Sequence, residues 1–91
     1  MKAQMRTWDC SNQMIIEVGD IQYGYVFGYD GSENVRVVPD EKRGAAHSLF
    51  FEIYHSLQVV AQPKWARGRQ VREGEIDQEM LDRLREVTQS G

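Results

Sequence analysis

One cysteine, two prolines and no apolar run of membrane length set the first limits on this chain of 91 residues. Cys10 has no partner for an internal disulfide, so no disulfide framework can hold the fold, and a reducing, cytoplasmic compartment suits it. The apolar stretches fall short of the roughly 18 residues that a transmembrane helix needs, which excludes a membrane role of that kind. Met1-Lys2-Ala3-Gln4-Met5-Arg6 lacks the apolar centre of a secretion signal. A basic surplus is also missing. The 11 Lys and Arg stand against 14 Asp and Glu, a net charge of −3, whereas nucleic-acid binders usually carry a positive balance or a broad basic face.

Catalytic patterns are equally scarce. His47 and His55 are eight positions apart, which on a helix is about 12 Å along the axis and roughly 80° around it. That separation prevents a shared metal, and no cysteine or carboxylate completes a ligand set at a recognised spacing. There is no phosphate loop, dinucleotide fingerprint or nucleophile elbow. The expectation is therefore no catalytic residue, no metal and no cofactor, in a binding protein that is not an enzyme.

What the chain does contain is ordinary for a globular domain. With 41% hydrophobic and 27% charged residues it has enough apolar surface for one modest core, so 1–91 reads as a single domain. The first 38 residues read as an antiparallel meander. Ala3 to Trp8 is a first strand, Met14 to Val18 a second, and Ile21 to Tyr29 a third. Gly19-Asp20 between the last two is a two-residue hairpin signal of the type II′ kind. That turn fixes a register in which Val18 faces Ile21, Ile16 faces Tyr23 and Met14 faces Tyr25. Asp30-Gly31-Ser32-Glu33 is a second turn and Asn34 to Val38 a fourth strand. Pro39 ends the sheet, about 3–38.

The period then becomes helical. Ala46, Leu49, Phe50, Ile53, Tyr54, Leu57, Val60 and Ala61 fall on one arc at about 100° per residue, which predicts a helix over 44–61. Pro63 is its stop signal. A second helix over 75–88 carries Ile76, Met80, Leu84 and Val87 as its stripe, with Leu81 widening it. Glu73, Glu75 and Asp77 suit its positive N-terminus, and Glu79 precedes Arg83 at ion-pair spacing. The expected fold is α+β: a four-stranded antiparallel meander followed by two C-terminal helices packed on one sheet face.

Three features bear on function. In Ile21–Tyr29 the side chains of Ile21, Tyr23, Tyr25, Phe27 and Tyr29 alternate onto one face. Tyr23-Gly24-Tyr25-Val26 resembles the aromatic strand motif of RNA-recognition-motif domains, whose alternating aromatics stack bases. The likeness covers four residues only. Ile21-Gln22 replaces a basic residue and glycine, Gly28 replaces an aromatic, and no helix precedes the strand. Burial beneath the helices is the plainer use of this face, and a small-ligand platform the other.

The second feature is a stripe, Phe51, His55 and Val59, on the side of the first helix away from its main arc. Either the second helix covers it, or a partner does, a second copy included.

The third is the basic segment 63–72, with Lys64, Trp65, Arg67, Arg69 and Arg72. Between Gly44 and Arg72 the sole acid is Glu52, whereas six acids follow from Glu73 onward. The cations either fold back onto Glu73, Glu75, Asp77 and Glu79 or meet a partner. Trp and Arg are the residue types most enriched at interface hot spots. The reading is a small regulator or inhibitor acting on a protein partner, of the size of phage and mobile-element accessory proteins. The alternative is a nucleic-acid-binding module using Lys64 to Arg72.

Overall fold

The computed structural model describes residues 1–8, 14–25, 35–61 and 69–89, with the backbone alone for Trp8 and Arg69. Its elements are strands β1 (Lys2–Trp8), β2 (Met14–Val18), β3 (Ile21–Tyr25) and β4 (Val35–Val37), then helix α1 (Arg43–Ser56). Strands β5 (Gln58–Ala61) and β6 (Arg69–Glu75) and helix α2 (Gln78–Val87) follow. A 3₁₀ turn at Asp40–Lys42 leads into α1. The fold is mixed α+β, with one six-stranded sheet in the order β4-β3-β2-β1-β6-β5.

The β2–β3 hairpin has the register its turn dictates. Val18 pairs with Ile21, Ile16 with Tyr23 and Met14 with Tyr25. Gly19 adopts φ 63°, the left-handed conformation that a tight hairpin turn demands of its first central residue. β1 pairs antiparallel with β2, so Ala3 and Met5 join Ile16, Val18 and Tyr23 on one face.

Three expectations need correction. β4 runs parallel to β3, not antiparallel, so it is not the far arm of a hairpin and the first four strands are not a simple meander. The expected helix over 44–61 stops at Ser56, because Leu57 turns to extended backbone and Gln58–Ala61 pairs with β6. The segment expected as a basic loop over 63–72 is strand from Arg69 onward, and β6 lies beside the central strand β1 along its whole length. The turn at 30–33, Pro63 and Cys10 lie outside the described residues.

Local chemistry explains where α1 ends. The last carbonyls of a helix lack intrahelical donors. Here Arg72 Nη1 donates to Tyr54 O at 3.1 Å and to Leu57 O at 3.3 Å, and Ser56 Oγ donates to Ile53 O. Gly74 lets the chain leave the helix close to the sheet. A Cβ on it would stand 2.8 Å from Leu57 Cδ2. The β-branched pair Val59-Val60 then favours extended chain over another helical turn.

Both helices cover one sheet face. Ala46, Leu49, Phe50 and Ile53 of α1 and Leu81, Leu84 and Val87 of α2 pack onto Ala3, Met5, Ile16, Val18 and Tyr23. Asp77 caps α2 by accepting a 2.8 Å hydrogen bond from Met80 N. The helices run antiparallel, with Lys42 Nζ before α1 donating to Glu86 O and Gln89 O at the end of α2. Arg83 pairs with Glu52 of α1 at 3.1 Å, taking the cation expected beside Glu79. Among the described residues no helix is long and apolar enough to cross a membrane.

Candidate functional site

The aromatic face of β3 is largely core. Tyr23 is fully buried, and Tyr25 packs half-buried with its ring centroid 5.6 Å from that of Phe50. With α1 lying over them, these two rings cannot serve as an open stacking platform. Phe27 and Tyr29 lie outside the described residues.

The stripe on α1 takes a different form from the one its spacing suggests. At about 100° per residue, Phe51 and Glu52 point to different sides of the helix. Glu52 faces α2, as its pairing with Arg83 shows, so α2 does not lie against Phe51. Phe51 packs against the margin of the core and against rings of its own helix. Its centroid is 4.7 Å from His47, 6.0 Å from Tyr54 and 6.5 Å from His55, and Tyr54 meets His55 edge-on at 5.3 Å. His47 and His55 are exposed, while Phe51 and Tyr54 are half-buried. At the α1 N-terminal end of this flank, Met14, Tyr25, His47 and Phe51 line a cavity of about 110 Å³.

Arg72 joins this flank to the sheet edge. Its guanidinium lies 3.7 Å over the Tyr54 ring and its Nε donates to Gln70 Oε1 at 2.8 Å. It is half-buried and holds helix to sheet, in addition to any role at the surface. Val59 stands opposite Arg72 in the β5–β6 register, on the edge strand and not on the helix. All four residues of β5 are exposed. Four of the sequence candidates, Phe51, His55, Arg72 and Val59, thus come together along one flank of α1 and the adjoining edge.

Arg69 opens β6 opposite Trp8, and only its backbone is described. Lys64, Trp65 and Arg67 lie outside the described residues. The acids proposed to hold the basic segment are largely engaged elsewhere. Glu73 accepts from Gln4 at 2.8 Å and lies 3.9 Å from Lys2, Glu75 pairs with the Met1 ammonium at 2.9 Å, and Asp77 caps α2.

Sequence reasoning missed Tyr54 as part of the open flank and Val60 as an edge residue. Both fell on the arc of a helix drawn too long. The β-branched pair Val59-Val60 was the available signal for a strand.

The sheet's second face offers a polar cleft of about 360 Å³ lined by Lys2, Gln4, Glu17 and Glu73. Its carboxylates are already partnered, Glu73 by Gln4 and Glu17 by Gln22. Among the described residues no group of three His, Cys, Asp or Glu is placed to hold a metal. Comparison with protein-family models, curated proteins and solved structures finds no match to this chain.

Proposed function

We propose that this chain is a small non-enzymatic binding protein that regulates or inhibits a protein partner. The contact surface is the flank of α1 formed by His47, Phe51, Tyr54 and His55. The observation that carries the reading is that this flank groups four rings away from α2, with both histidines exposed. Ring-rich surfaces of this kind supply contact area with little side-chain entropy to lose, which is why aromatics dominate interface energetics. The Arg72–Tyr54 stack extends the same surface to the β5 edge.

The test is recovery of the tagged protein from its native source, with the mass of whatever co-purifies. A protein bound by wild type and lost from the double variant His47→Asp with His55→Asp is the expected result, both sites being exposed and the fold retained. Recovery of nucleic acid instead, with a steep log–log salt dependence from released counterions, would establish the alternative carried by the basic segment.

A further inference from the structure

We infer that the cavity between the start of α1 and the end of β3 is a binding site for a trimethylammonium group, held by cation–π contact with the rings that line it. The site goes beyond the protein-binding reading above and stands without it, since its ligand is a single small cationic group. Met14, Tyr25, His47 and Phe51 line the cavity, whose volume is about 110 Å³. A molecule of liquid water takes about 30 Å³, so the space holds roughly four methyl-sized groups. A nitrogen carrying its methyls and one methylene matches that count, whereas an aromatic ring exceeds it.

Ring geometry and charge select the cation. The walls stand at different angles round one space: Tyr25 and His47 meet at 72° with centroids 6.0 Å apart, and His47 and Phe51 at 45° and 4.7 Å. Further contacts brace them. Tyr25 rests on Phe50 at 5.6 Å, Phe51 on Tyr54 at 6.0 Å, and Met14 is paired with Tyr25 across the β2–β3 ladder. A preformed cage loses little freedom when it binds. Aromatic faces are electron-rich and the Met14 sulfur is polarizable, so a cation gains an attraction there that an uncharged group of the same size does not. No Lys or Arg lines the cavity, and Arg43, one helical turn before His47, pairs with Asp40 at 3.1 Å. No carboxylate lines it either. That disfavours a primary ammonium or a guanidinium, whose N–H groups need acceptors, whereas a quaternary ammonium has no N–H to satisfy. The chain's net charge of −3 favours the approach of a cation over an anion.

The test is an NMR titration of the intact protein with choline at about pH 8, so that His47 presents a neutral ring. The choline methyl signal should move upfield under the ring currents and saturate, with the protein's own shifts centred on Met14, Tyr25, His47 and Phe51. Neohexanol, in which carbon replaces the charged nitrogen, should bind about tenfold more weakly. Phe51→Leu keeps an apolar wall and removes a ring, and should erase most of that difference. His47→Leu, at an exposed position where the fold is retained, should do the same. A short peptide bearing trimethyl-lysine distinguishes the source of the group: tighter binding than choline assigns it to a protein side chain, equal or weaker binding to a free small molecule. Any of three results overturns the inference: no saturable binding of choline, neohexanol binding as well as choline, or both leucine variants keeping the wild-type preference. Choline binding by a protein that recovers no partner would leave this site standing and remove the protein-binding reading.

Discussion

The two flanks of α1 meet different surroundings, one facing α2 and the other the margin of the sheet at Tyr25 and Arg72. One flank is closed by a neighbouring element. Leu49 is buried against the core, Glu52 is tied to Arg83, and Lys42 fastens the helix start to the end of α2. On the other flank His47, Phe51, Tyr54 and His55 stack ring against ring, with Tyr25 of β3 against His47 and Arg72 of β6 over Tyr54. Among the described residues no second helix lies over these rings, and both histidines stay exposed. This flank therefore stays free to be covered by something else. The same contrast holds between the two edges of the sheet, where β4 is short and carries a charge and β5 is neutral and exposed.

Adjacent phenylalanines test that contrast most sharply. Phe50 is fully buried, so Phe50→Ala should cost about 3–5 kcal/mol in denaturant unfolding, the range for a buried aromatic truncation. Phe51→Ala, one residue away on the open flank, should cost about 1–2 kcal/mol, because only part of its area leaves water on folding. Equal costs for the two would mean that the flanks do not differ.

Arg72→Met comes next. It keeps the aliphatic stem but removes the donors to Tyr54 O and Leu57 O, and should destabilise by about 1–3 kcal/mol. Hydrogen exchange should show the loss concentrated at the C-terminal turn of α1 and at β5. Uniform loss across the sheet would mean that Arg72 does not act as the clasp of that turn.

On the closed flank, Asp77→Ala removes the cap of α2 and should cost about 1 kcal/mol. Its melting shift should leave the amides of α1 near His55 unaffected. The smallest effect belongs to Glu52→Gln. Both partners of the Glu52–Arg83 pair are about half exposed, so the change should stay within about 0.5 kcal/mol. A larger loss would show that the ion pair, and not apolar packing, holds the two helices together.

Much of the sheet's first half was legible from the chain alone. The β2–β3 register followed from two turn residues because a hairpin turn fixes pairing between neighbours in sequence. The candidate site was legible in part. Phe51 and His55 stood out as a stripe, yet Val59 belongs to a strand, and Arg72 is turned toward the helix end. The strand β6 escaped notice because its residues do not alternate apolar with polar. Gln70, Arg72 and Gly74 point to the helix side, where an alternating pattern would have placed apolar residues. At Gly74 a Cβ would press on the Leu57 side chain, a contact that no local pattern reveals.

By itself the sequence determined the β2–β3 hairpin and the amphipathic stripe of α2, since each depends on residues near one another along the chain. Only the tertiary structure decided that β4 runs parallel to β3, that the helix gives way at Leu57, and that Arg69–Glu75 enters the sheet beside β1. These outcomes depend on partners far away in sequence. The pairing of Lys2 with Glu75 spans almost the whole chain, and Val59-Val60 becomes strand because β6 offers it a ladder. Helix or strand was a close contest for that pair, and hydrogen bonds to a distant neighbour settled it.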